Sequence, residues 1–102
     1  MYRLIIRCRR KGKVDYLYLT PIVNELGNFC SWGLTYDKYK SYESDSLYEI
    51  KGLMIQIREN RDEILKKLKV KDEYLEAITG YEIEEDWSCQ HVVQLYKVGI
   101  FK

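Results

Sequence analysis

The stretch YRLIIRCRRKGKVDYLYLT, residues 2–20, decides the fold. Two runs rich in β-branched and aromatic residues, 2–9 and 14–20, flank Arg10-Lys11-Gly12-Lys13. Gly supplies the positive φ that a two-residue hairpin loop needs, so Lys11-Gly12 reads as the loop of a β-hairpin. Pairing Arg10 with Lys13 sets Cys8 opposite Asp15, Ile6 opposite Leu17 and Leu4 opposite Leu19. One face then carries Leu4, Ile6, Cys8, Leu17 and Leu19. The other carries Arg3, Ile5, Arg7, Arg9, Val14, Tyr16 and Tyr18. Both strands agree on the apolar side, and a slip of one residue would turn every side chain to the wrong face.

Beyond the hairpin, Pro21 is expected to end the second strand because it has no N–H for a ladder. Residues 24–28 read as a loop. Residues 29–36 form a third strand, weakened by Gly33, and 37–43 is polar and irregular. Ser46-Leu47-Tyr48-Glu49 fits a helix capping box. Leu47, Ile50, Leu53, Met54 and Ile57 recur at helical spacing, and the stripe resumes at Ile64, Leu65 and Leu68. The seven-residue phase between Ile57 and Ile64 favours one helix over 47–68 rather than a break at Asn60. Residues 72–79 read as a short helix with Asp72 as cap and Gly80 past its end. An acidic stretch, 82–86, leads to a final strand from Trp87 to Phe101, dense enough in apolar residues for a central position. The order β-β-β-α-α-β predicts an α+β fold: an antiparallel sheet of about four strands, with one long and one short helix on one face.

The 102 residues suit a single domain, 1–102, and 46% hydrophobic content excludes a disordered composition. No apolar run approaches the ~20 residues that span a bilayer. The first residues are too interrupted by Arg for a signal peptide. The expectation is a protein of the cytoplasm with no membrane partner.

Cys8, Cys30 and Cys89 are odd in number, widely spaced and without a C-x-x-C pair, which argues against a disulfide framework. Joined by His91 they would make a Cys₃His zinc set, but structural zinc sites pair their ligands at short spacing. As small hydrophobes they need no metal. Cys89 and His91, two apart on a strand, are the one conceivable nucleophile and base, with no third group to orient them. No phosphate-binding loop, dinucleotide fingerprint or hydrolase motif occurs. No catalytic residue, metal ligand or cofactor is therefore assigned.

A net charge of +1 hides an asymmetry. Residues 1–14 hold Arg3, Arg7, Arg9, Arg10, Lys11 and Lys13 and no acid. Residues 72–86 hold Asp72, Glu73, Glu76, Glu82, Glu84, Glu85 and Asp86 and no base. The two blocks either satisfy each other internally or present two electrostatic faces. On the polar face of the hairpin Arg3, Arg7 and Arg9 lie among Tyr16 and Tyr18, with Lys11 and Lys13 at the tip. Such rings stack on unpaired bases while guanidinium groups contact phosphates. The same residue types anchor protein interfaces, and they also make ordinary solvated sheet faces where Arg stems cover Tyr rings. Ten tyrosines are present, and Tyr36, Tyr39 and Tyr42 cluster in one loop-like stretch, offering contact area at low entropic cost. Glu84-Glu85-Asp86 either imitates a phosphate backbone or is a solvated run. The candidate contact residues are Arg3, Arg7, Arg9, Lys11, Lys13, Tyr16, Tyr18, Tyr36, Tyr39, Glu84, Glu85 and Asp86.

The opening Tyr2-Arg3-Leu4-Ile5-Ile6, the turn Lys11-Gly12-Lys13, then Tyr16-Leu17, Trp32 and Lys40-Ser41-Tyr42-Glu43-Ser44 resemble small bacteriophage and mobile-element proteins, anti-CRISPR inhibitors of host defence among them. The resemblance covers the first half of the chain and transfers no residue roles. It implies a phage origin and action in the host cytoplasm. The expected function is a non-catalytic binding protein that occupies a surface of a larger host protein or ribonucleoprotein complex. The alternative is a small single-stranded nucleic-acid binder that uses the Arg/Tyr face.

Overall fold

A computed structural model describes residues 1–86. The elements are β1 (Tyr2–Arg10), β2 (Lys13–Val23), β3 (Phe29–Thr35), a 3-10 turn (Lys38–Lys40), β4 (Glu43–Ser44), α1 (Leu47–Glu59), α2 (Arg61–Lys71) and β5 (Leu75–Glu85). All strand pairings are antiparallel. β1 sits in the middle, with β5 on one side and β2 on the other, and β3 lies beyond β2. The short β4 takes the place of β2 beside Tyr2 and Arg3. The arrangement is the α+β fold with an antiparallel sheet that the element order predicted.

The hairpin turns where the sequence placed it. Lys11 and Gly12 have φ of 53° and 73°, the two positive values of a type I′ loop. Arg10 pairs with Lys13, Cys8 with Asp15 and Ile6 with Leu17. The expected Leu4–Leu19 pair does not form, because β2 leaves β1 after Tyr18 and the Leu19 carbonyl accepts from Tyr42 N–H instead. β2 then continues through Pro21, which pairs with Trp32 of β3. No β1 partner lies beside that stretch, so the missing N–H breaks no ladder bond.

Leu4, Ile6, Cys8, Leu17 and Leu19 are buried together beneath the helices, with Ile50 and Ile57 of α1 and Leu75 and Ile78 of β5. Each such large side chain contributes roughly 1.5–3 kcal/mol by leaving water. Ser46 caps α1 by accepting from Glu49 N–H at 3.3 Å. Glu49 does not reach back to Ser46; its carboxylate accepts from the hydroxyls of Tyr42 and Ser44, which fixes the chain entering the helix.

Three expectations are corrected here. The single helix over 47–68 is two helices of similar length. Asn60 ends α1 by donating from Nδ2 to the Gln56 carbonyl, and α2 restarts at Arg61. The short helix over 72–79 is the start of a strand. Leu75 and Ile78, three apart, both face the core because β5 shifts register against β1 between them, absorbing Glu76 as an extra residue. A bulged strand thus copies the i, i+3 spacing of a helix. The acidic stretch 82–86 is no separate loop: through Glu85 it is the second half of β5, with Tyr81 and Ile83 turned toward the core. The strand expected from Trp87 to Phe101, with Cys89 and His91, lies outside the described residues.

Candidate surface at the hairpin tip

β1 carries its basic residues from one end of the sheet to the other, and the structure treats the two ends differently. At the root, beside β4, Arg3 is 4% exposed although it lies on the face away from the helices. Its guanidinium pairs with Glu43, and lies 3.5 Å from Glu84 and 3.6 Å from Asp86. The 3-10 turn packs against β2 on this side, and Lys38 Nζ lies 3.6 Å from Glu84. That connection covers Tyr18, which is buried too. Burial pushes the Glu43 carboxyl above the usual range, against the pull of Arg3, and the neighbouring Asp86 and Glu84 carboxylates add to the rise.

In the middle of β1, Arg7 pairs with Glu82 at 3.0 Å across the β1–β5 ladder. Its guanidinium lies over Gly80, where a Cβ would come within 2.5 Å of an Arg7 nitrogen. The basic and acidic blocks therefore neutralise each other along two adjacent strands, the internal alternative of the two that the charge pattern allowed.

The tip is built otherwise. Lys11 N–H donates to the Tyr74 carbonyl at 3.1 Å, which ties the hairpin loop to the turn between α2 and β5. Asp72 sits in that turn and takes Arg10 Nε at 2.7 Å and the Tyr36 hydroxyl at 2.6 Å. These bonds hold its carboxyl down at about 2. The Arg10 guanidinium lies 5.1 Å from the Tyr36 ring centre and 5.7 Å from that of Tyr74, and Lys11 Nζ lies 4.2 Å above the same Tyr74 ring. Cations at these distances are attracted by the negative ring faces. Arg10, Tyr36, Val70 and Tyr74 line a shallow depression of about 520 Å³. Lys13 stands exposed on the same face, while Arg9, Val14 and Tyr16 are exposed on the opposite face of the hairpin. Among the described residues Arg9, Lys11 and Lys13 have no carboxylate within ion-pair distance.

The candidate contact residues thus separate. Lys11, Lys13 and Tyr36 gather at the tip, while Arg9 and Tyr16 lie on the opposite face of the hairpin. Tyr39 is 95% exposed on the 3-10 turn, apart from them. Arg3, Tyr18, Glu84 and Asp86 belong to the covered root, Glu85 is exposed at the end of β5, and Arg7 is occupied by Glu82. The sequence did not point to Tyr74, and it read Asp72 as a helix cap and as a member of the acidic block. Their role depends on a contact across more than sixty residues, between Arg10 and Asp72, which no local pattern reveals.

Cys8 offers little chemistry. Burial pushes its thiol up to about 11, with Asp15 adding to the rise, so it stays protonated at neutral pH. Among the described residues no cluster of three His, Cys, Asp or Glu is placed to hold a metal ion. No described helix is long and apolar enough to cross a membrane. No family model, curated protein or solved structure matches this chain.

Proposed function

We propose that this chain is a non-catalytic binding protein that occupies a surface of a larger protein partner through the tip of its first hairpin. The observation that carries this reading is the Arg10–Asp72–Tyr36–Tyr74–Lys11 cluster. Tyr and Arg supply most of the energy in protein interfaces, above all where they are held in place before the partner arrives. Here one carboxylate fixes a guanidinium and a phenol together, so little side-chain freedom remains to be lost on binding. Val70, 85% exposed in the same depression, adds apolar surface. The nature of the partner, a host defence complex of the CRISPR type, rests on the resemblance of the first half of the chain to phage proteins.

The nucleic-acid alternative draws less support. It relied on Arg3, Arg7 and Arg9 acting with Tyr16 and Tyr18, and three of these are occupied or covered. Arg9, Lys11 and Lys13 remain as phosphate contacts, a small set for a mode of binding driven by counterion release. The deciding experiment titrates a labelled single-stranded oligonucleotide at low salt, beside affinity capture from nuclease-treated bacterial lysate. The expected result is no oligonucleotide shift at micromolar protein and a captured protein that survives the nuclease. A salt-sensitive shift with no nuclease-resistant capture would reverse the order of the two readings.

A further inference from the structure

Among the described residues the sheet ends in two edges, β3 and β5, and they are protected unequally. β5 carries Glu76, Glu82, Glu84 and Glu85, and its register shifts twice. Charges and bulges are the usual devices that stop an edge from pairing with another strand. β3 reads FCSWGLT, with no charge and no proline, and its one irregularity lies at its very start. Phe29 is 48% exposed and Leu26, in the loop before it, 85% exposed; Ile22 and Val23 on the same hairpin are exposed as well.

The direction of the edge groups follows from the first hairpin. A two-residue loop makes Arg10 and Lys13 a hydrogen-bonded pair, and bonded and non-bonded pairs then alternate. Leu17 accordingly points its backbone groups at β1, and Tyr18 points its own at β3. Bonding of the Leu19 carbonyl by Tyr42, on the β1 side, fits this alternation. Carried across the β2–β3 register, Thr35, Gly33 and Ser31 bond to β2. Leu34 and Trp32 turn their N–H and C=O groups outward, and among the described residues nothing pairs with them; Cys30 is the extra residue of the bulge.

We propose that this edge pairs antiparallel with the β3 edge of a second copy of the chain. The outward groups of Trp32 and Leu34 fall symmetrically about Gly33, as a two-fold interface requires, since each residue must meet its counterpart. Self-pairing sets any charge near its own kind, which β3 tolerates because it has none and β5 would not. An added uncharged strand also extends the sheet beneath α2. There a groove of about 380 Å³, lined by Leu19, Trp32, Leu34, Ile64 and Leu68, opens beside β3.

The test is the solution mass of the full chain under reducing conditions, by light scattering from low to high micromolar concentration. The expected mass is that of two chains. Leu34→Pro deletes an outward N–H without removing a β2 ladder bond and is expected to give one chain with an unchanged circular dichroism spectrum. Ser31→Lys, which places a charge on the edge, is expected to weaken the dimer, and it decides the matter should Leu34→Pro fail to fold. A wild-type chain that stays single throughout overturns the proposal. So does a dimer that both folded variants leave intact.

Discussion

Arg3 and Arg10 lie on one strand, each with a carboxylate partner, yet they do different things. Arg3 at the root is buried among Glu43, Glu84 and Asp86. Arg10 at the tip keeps its guanidinium between two tyrosine rings on the surface. The difference lies in what covers the pair. Arg3 lies on the polar face, where Glu43, Glu84 and Asp86 use up its charge; Arg10 lies on the other face, past the end of the helix layer, where the fixed groups are left for something else.

The largest effect is expected from breaking the root. Arg3→Ala strands the buried Glu43 carboxylate and is expected to cost roughly 3–5 kcal/mol in urea unfolding. A loss below about 1 kcal/mol, as for exposed pairs, would mean that the root is no different from the surface.

A middle-sized effect is expected from pH, with opposite signs at the two ends. The Asp72 carboxyl is depressed to about 2, so its share of stability is present above the ordinary value of about 3.9 and is lost as pH falls toward 2. The Glu43 carboxyl is raised, so its share is present below about 4.3 and is lost as pH rises through its folded value. Urea midpoints measured against pH are expected to lose their acid limb in Asp72→Asn and the opposing limb in Glu43→Gln. Identical profiles in both variants and the wild type would remove the contrast.

Much of this was legible in residues 2–20. The alternation of Leu4, Ile6 and Cys8 against Leu17 and Leu19 fixed the turn, the register near it and the buried face. The opposite charge blocks were also visible, but not which charges would meet. That depended on β5 being a strand, and the helix-like spacing of Leu75 and Ile78 came from the bulge between them. The burial of Tyr18 and Arg3 was hidden for a related reason. Alternation says which face a side chain takes, and later segments, here residues 38–40 against β2 and Glu43, Glu84 and Asp86 around Arg3, decide whether that face meets water. Tyr74 joined the tip through a turn whose partner lies in another part of the chain.

The smallest effect on stability, and the largest on binding, belongs to the tip. Tyr74→Ala removes a half-exposed ring and is expected to change unfolding by no more than about 0.5 kcal/mol. Capture of a nuclease-resistant partner from bacterial lysate, compared among the wild type, Tyr74→Ala, Lys11→Glu and Glu82→Gln, tests the account most directly. The partner is expected to be lost with both tip variants and kept with Glu82→Gln, all three being folded. A partner that stays bound to both tip variants, or that leaves only with Glu82→Gln, would contradict it.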